Sequence, residues 1–106
     1  MNKLDILKAA RGLLVNAGWT QGWFARNAAG REVSENDPGA TCFCAVGAIH
    51  RAAGHYHPEA VRALTLALPE GHHIIPHFND ARGRTLPEVL AVFDKAIAAE
   101  EAKVPE

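Results

Sequence analysis

Apolar side chains recur at helical spacing near both ends of this chain, and this pattern constrains the fold more than any other feature. The first stripe covers residues 3 to 17, with Asn2 placed to cap its start and Gly18 placed to end it. The second stripe consists of Leu86, Leu90, Phe93 and Ile97. It follows the capping-box sequence 85–88 and is expected to fray after Ala102. The sequence therefore predicts a helix at each end.

Two shorter helices are predicted between these. Thr41 can cap a helix of residues 42–53 that stops at Gly54. Small side chains dominate this segment, so Gly47 in its middle is expected to face a neighbouring helix or a ligand at close range. A third helix is predicted over 58–68, because a proline stands at its first position.

The remaining patterns indicate a little β-structure. Residues 23–33 are typical of a short hairpin, because aromatic and β-branched residues flank the turn sequence 27–30. The segment 72–80 is interrupted by a proline and is predicted to be extended, as a candidate edge strand. The predicted fold class is therefore α+β and mostly α, with about four helices, one short β-hairpin and that extra edge strand. We expect residues 1–106 to form a single compact domain in which residues 103–106 are frayed.

Composition argues against several classes of protein. The chain has 106 residues with 11 basic and 12 acidic side chains and a net charge of −1, so no broad basic face for nucleic acid is expected. It contains no apolar run near the roughly 18 residues that a membrane span requires. Its start lacks the basic region and the apolar core of a signal peptide, so we expect a cytoplasmic protein.

Six histidines invite a metal interpretation. His55 and His57 are separated by one residue and His73 and His77 by three, but neither spacing matches a structural zinc pattern. Pro76 also argues against the helix that would bring His73 and His77 to one ion. We expect no metal site and no cofactor, and we interpret the histidines as loop and cap residues, with His57 just before a helix.

Cys44 offers a catalytic alternative. It lies in the first turn of the predicted second helix, where the helix dipole and free N–H groups can lower the pKa of a thiol. A cysteine hydrolase would add His77 as the base, Asn79 or Asp80 to orient that base, and Gln21 as the oxyanion donor. The other interpretation of Cys44 is packing in the core among alanines.

An aromatic segment and a polar turn supply candidate binding residues. Arg84 beside the start of the last helix suits a phosphate or a carboxylate, whereas a pairing with Asp80 would cancel its charge. Alternation on the predicted hairpin places Trp23 and Phe24 on opposite faces, so one of them is expected to be exposed as an anchor for a partner. The candidate ligand- or partner-binding residues are Trp19, Trp23, Phe24, Asn79, Asp80, Arg84 and Thr85.

Three motifs carry a resemblance to a known family. They are Gly18-Trp19-Thr20-Gln21-Gly22, Cys44-Ala45-Val46-Gly47-Ala48-Ile49, and Phe78-Asn79-Asp80 followed by Gly83-Arg84-Thr85. Together they resemble a family of small bacterial and phage proteins whose function is unknown. The resemblance spans nearly the whole chain and implies one compact unit, and it brings no activity, cofactor or catalytic residue.

The sequence favours a small cytoplasmic binding or adaptor protein that takes a protein partner or a small anionic ligand. One alternative is the cysteine-dependent hydrolase built on Cys44, His77 and Asn79 or Asp80. Another, suggested by the phage members of the family, is a regulator or counter-defence protein that blocks a host factor. The sequence leaves the oligomeric state open.

Overall fold

The structure is a computed structural model that describes residues 1–103. Within them, helices and strands follow the order α1 (Lys3–Asn16), β1 (Ala25–Asn27), β2 (Glu32–Val33), β3 (Ala40–Phe43), α2 (Ala45–Ala53), α3 (Pro58–Leu66), α4 (Ile75–Asn79) and α5 (Leu86–Lys103). The predicted class, α+β and mostly α, is confirmed. Over the residues described, none of these helices combines the length and the apolar character that crossing a membrane requires.

Capping signals place several helix ends where the sequence predicts them. Asn2 caps α1, because its Oδ1 accepts a hydrogen bond from the Asp5 N–H at 2.9 Å. Gly54 ends α2 in the left-handed region, with φ of 83°. The contact expected of a capping box precedes α5, since Glu88 Oε1 accepts from the Thr85 N–H at 2.9 Å. These ends are set by hydrogen bonds between residues close in sequence.

The strands of the described part form one antiparallel sheet in the order β2-β1-β3. The predicted hairpin consists of β1 and β2, and Gly30 in the turn between them has φ of 78°. On the other side of β1, Phe43 of β3 pairs with Ala25. A hairpin alone is marginal in water, and β3 supplies the further pairing that it needs.

The prediction that Thr41 caps the second helix is wrong. Thr41 lies within β3, and Cys44 is the N-cap of α2. The Cys44 Sγ accepts a hydrogen bond from the Gly47 N–H at 3.2 Å, which is the capping contact. Residues 40–43 join the sheet because the free edge of β1 offers their backbone hydrogen-bonding groups a partner.

The predicted edge strand at 72–80 is also wrong. Residues Ile75–Asn79 form the short helix α4, and the extra strand of the sheet is β3. Pro76 lies in the first turn of α4, where a missing N–H leaves no helical hydrogen bond unmade. A proline that argued against a helix therefore stands where helices tolerate it.

The C-terminal ends of two helices differ from their predicted boundaries. Helix α3 ends at Leu66, two residues before the predicted end at residue 68. Helix α5 reaches Lys103, whose Nζ donates a hydrogen bond to Glu100 Oε2 at 2.9 Å. Lys103 is therefore helical rather than frayed, and the other residues predicted to fray, 104–106, lie outside the described residues.

The core lies where α1 packs against α2 and α5. Its largest fully buried side chains include Phe43, Phe93, Ile6, Leu7 and Leu14. Gly47 on α2 makes the predicted close approach, although its neighbour is neither a helix nor a ligand. A Cβ at that position would overlap the backbone carbonyl oxygen of Phe24. This approach lets the Cys44 N–H donate to Phe24 O at 3.1 Å, which fastens the start of the sheet to the start of α2.

Candidate functional site

A buried amide, the side chain of Asn79 at the end of α4, is the centre of a hydrogen-bond network. It is fully buried. Its Oδ1 accepts from Trp19 Nε1 at 2.8 Å and from the Ala45 N–H at 3.0 Å. Its Nδ2 donates to Thr20 O at 3.1 Å and to Asp80 Oδ1 at 2.8 Å. Both donors and both acceptor positions of the amide are thus used.

Three neighbouring hydrogen bonds fasten the loop before β1 to the end of α4 and the residues that follow it. Gln21 Nε2 donates to the backbone oxygens of Asn79 at 2.9 Å and of Ala81 at 3.1 Å. The Gly22 N–H donates to Asp80 Oδ1 at 3.0 Å. Gly22 has φ of 85°, a conformation that glycine adopts without strain. The Gly-Trp-Thr-Gln-Gly and Asn-Asp motifs therefore bind each other.

A cleft of about 140 Å³ opens beside this network. We call it the aromatic cleft, and its lining residues are Gly22, Trp23, Phe24, Cys44, Pro76 and Asp80. The side chains of Trp23 and Phe24 meet edge to face, with ring centroids 6.1 Å apart. They are 45% and 41% exposed, so the expected exposed anchor is present, but the alternation that was to bury the other ring does not occur. Both residues precede β1, and the alternation of a strand does not apply to them.

Cys44 lines the aromatic cleft as a thiol. Burial is the main cause that raises its pKa, and the nearby Asp80 and Glu35 carboxylates raise it further. The hydrogen bond from the Gly47 N–H lowers the pKa of Cys44, but by less than burial raises it. A thiol with a raised pKa is a poor nucleophile at neutral pH.

The other residues of the predicted hydrolase do not assemble around this thiol. His77 is exposed, and within residues 1–103 no hydrogen bond or ion pair joins a histidine to Cys44. The Gln21 amide donates to two carbonyl oxygens rather than facing an oxyanion site. Asn79 is saturated by its own network and has no hydrogen bond left to orient a base. These contacts lend the hydrolase prediction no support.

Arg84 has partners other than the Asp80 considered from the sequence. Its Nε donates to Phe78 O at 2.8 Å, and its guanidinium lies 3.8 Å from the centroid of the Phe78 ring. Its Nη1 donates to Glu88 Oε2 at 2.9 Å. Glu88 is also the partner of Thr85, whose N–H is the main cause that lowers the pKa of the Glu88 carboxyl. Arg84 borders a different cleft, of about 490 Å³, next to α5.

The candidate binding residues therefore divide into three groups. Trp23, Phe24 and Asp80 line the aromatic cleft. Trp19 and Asn79 belong to the network behind it. The side chains of Arg84 and Thr85 are engaged with Glu88 at the start of α5.

Sequence reasoning missed His50. This side chain is 9% exposed and packs against Phe24 and Tyr56, at centroid distances of 6.2 Å and 5.2 Å. Its Nδ1 lies 3.8 Å from Glu35 Oε1, and its Nε2 has no hydrogen-bond partner in the described part of the chain. Burial lowers the pKa of His50, with Glu35 opposing that change. The sequence did contain a signal for the burial of His50. This residue lies one helical turn after Gly47, so both residues share a face of α2.

The remaining histidines include a cap. His57 is the N-cap of α3, and its Nδ1 accepts from the Ala60 N–H at 3.1 Å, as its position before the helix predicted. In residues 1–103 no group of three or more His, Cys, Asp or Glu side chains is arranged to hold a metal ion.

Comparison with known proteins places the chain in a family. Searches of curated proteins and of solved structures find no match. The model of one family matches residues 1–99. On that match, the chain belongs to the family of unknown function DUF6197.

Proposed function

We propose that this chain is a binding protein that docks a protein partner at the aromatic cleft. The observation that carries the proposal is the exposure of Trp23 and Phe24 side by side at the rim of a cleft. Aromatic side chains supply much of the energy of protein interfaces, because they cover a large area with few rotatable bonds.

The backbone beneath these aromatic side chains is held in place. The Gly22 N–H is bound by Asp80, and Phe24 O accepts the Cys44 N–H at 3.1 Å. A surface whose backbone is already ordered loses less conformational entropy when a partner binds. These two contacts thus support the cleft as a preformed docking surface.

The aromatic surface continues beyond the cleft. Phe24 packs against His50, and His50 packs against Tyr56, which is 67% exposed. Ring contacts therefore connect Trp23 and Phe24 to the exposed Tyr56 through the buried imidazole of His50. An apolar surface that extends beyond the cleft is better suited to a protein partner than to a small ligand.

A protein partner fits the charges better than a small anion. The two carboxylates that act on Cys44 belong to Asp80 and Glu35, and an anion in the cleft would meet their negative charge. Arg84 was the anion-binding candidate predicted from the sequence, and its charge is balanced by Glu88. The expected cytoplasmic location and bacterial or phage origin remain part of this proposal.

Affinity capture from the source cells tests the proposal. The baits are the wild type, W23A/F24A, and L66A as a matched control, because Leu66 is a 70% exposed apolar residue on α3. We expect the wild type and L66A to retain the same partner in quantitative mass spectrometry, and W23A/F24A to lose it. Identical profiles for all three baits, with circular dichroism showing folded proteins, would contradict the proposal.

A further inference from the structure

Asp80 places a carboxylate in the aromatic cleft, and no cationic side chain among residues 1–103 forms an ion pair with it. Its Oδ1 accepts two hydrogen bonds, from the Gly22 N–H at 3.0 Å and from Asn79 Nδ2 at 2.8 Å. Its Oδ2 accepts none from residues 1–103, and no ion pair in that part of the chain includes Asp80. The carboxylate is thus oriented by one oxygen, and the other is left for a ligand.

The aromatic side chains of the cleft also lack a cation stacked on them from the described part of the chain. Within the described residues, arginine lies over the rings of Phe43 and Phe78 but not over those of Trp23 or Phe24. The faces of aromatic rings attract cations, and most strongly those of tryptophan. An oriented carboxylate next to two such rings is a suitable environment for a cationic group that carries an apolar stem.

We propose that the aromatic cleft receives a lysine side chain of the protein partner. The lysine ammonium binds Asp80 Oδ2, and the methylene stem packs against Trp23 and Phe24. This inference rests on the proposed function, since it specifies which chemical group of the partner enters the cleft. It follows from charge complementarity between an unpaired carboxylate and a cation.

The hydrogen bonds of Asp80 favour lysine over arginine. Arginine binds a carboxylate best with two parallel N–H donors that reach both oxygens. The two hydrogen bonds from Gly22 and Asn79 already occupy Asp80 Oδ1. One free oxygen suits the compact ammonium of lysine, which needs a single acceptor.

Selection from a random peptide library displayed on phage tests this inference. The baits are the wild type, W23A/F24A and D80N. The D80N side chain keeps an oxygen for Gly22 and Asn79 and replaces only the free oxygen with an amide, so it is a close match to the wild type. The Gly22 amide resonance in ¹H–¹⁵N NMR reports whether that hydrogen bond is retained.

We expect the wild type to select peptides enriched in one lysine position. A synthetic peptide from that set should bind D80N on the order of tenfold more weakly, and a matching loss should follow when its lysine is replaced by the neutral isostere norleucine. Replacement of that lysine by arginine should cost less than replacement by norleucine. The peptide series keeps the inference testable even where D80N does not fold.

The remaining outcomes separate the two proposals. Peptides that require Trp23 and Phe24 but show no lysine preference, and that bind D80N as well as the wild type, would overturn the lysine inference and leave the docking surface standing. A wild-type selection no different from that of W23A/F24A would overturn both.

Discussion

Replacing Asn79 with alanine should strongly destabilise this protein, because its buried side chain satisfies several other polar groups. The substitution takes away the Oδ1 that Trp19 Nε1 and the Ala45 N–H share, and the Nδ2 that binds Thr20 O. Asp80 Oδ1 still accepts from Gly22, so it is not left without a partner. Three polar groups therefore lose a hydrogen bond at the junction of α4, α2 and the loop before β1.

The size of the effect follows from those three groups. Each buried polar group without a partner costs about 1–3 kcal/mol, which gives roughly 3–9 kcal/mol in total. Because the Trp19 and Thr20 contacts are only partly buried and a water molecule can fill some of the space, we expect N79A to lose about 3–5 kcal/mol. A domain of this length has a free energy of unfolding of about 5–15 kcal/mol, so the loss is a large fraction of it.

Urea unfolding at neutral pH measures this loss through tryptophan fluorescence and far-ultraviolet circular dichroism. N36A is the matched control, because Asn36 is exposed in the loop before β3, and it should change the free energy of unfolding by no more than about 0.5 kcal/mol. W19F keeps the aromatic ring, removes one donor to Asn79, and should cost about 1 kcal/mol. The double variant W19F/N79A should lose less than the sum of the single variants, because they share one hydrogen bond.

Two results would refute this reasoning. The first is that N79A lowers the free energy of unfolding by less than about 1 kcal/mol, with the slope of that free energy against urea concentration unchanged. Unpaired buried groups would then cost less than supposed. The second is strict additivity of W19F and N79A, which would mean that the contact between the indole and the amide contributes no coupling energy. If N79A does not fold, W19F still measures the Trp19 contact alone.

Three further predictions test other parts of the structure. G47A should lower the free energy of unfolding, measured by thermal unfolding, by more than about 2 kcal/mol, because its Cβ would overlap Phe24 O. The control G12A on α1 should raise that free energy by about 0.5–1 kcal/mol. A G47A variant as stable as the wild type would contradict the close approach. Burial lowers the pKa of His50, so the unfolded state takes up the proton more readily and the free energy of unfolding should fall as pH drops below about 6.5. In urea titrations between about pH 7.5 and 5, H50Q should show a weaker dependence of the free energy of unfolding on pH. A pH dependence equal to that of the wild type would contradict this role of His50. Iodoacetamide at about pH 8 should modify the half-buried Cys42 before Cys44, whose pKa is raised by burial, and equal rates in peptide mass spectrometry would contradict that order.

Helix ends were predictable because their signals are local. The Asn2 cap, the Gly54 stop and the Thr85–Glu88 contact each join residues within a few positions of one another. Such contacts need only the neighbouring sequence as partners. The same locality made His57 recognisable as a cap.

The errors at residues 40–43 and at Pro76 arose because residue type alone did not decide the local backbone structure. Thr41 is a good cap by residue type, but the edge of β1 recruits residues 40–43 as a strand. Pro76 disfavours a helix in general, but in the first turn of α4 it breaks no hydrogen bond. Both outcomes depend on contacts that periodicity and residue type do not report.

The candidate site shows the same division. Its aromatic segment and its Asn-Asp turn were visible in the sequence as chemically distinctive residues. Their relation was not, because Asn79 joins Trp19 and Ala45 across 60 and 34 positions of the chain. Hydrogen bonds over such separations exist only when the whole core has packed, and they leave no repeat in the sequence. The amino-acid sequence thus specified the four longer helices and the polar and aromatic candidate side chains, and tertiary packing selected which of these side chains are buried as supports and which line the aromatic cleft.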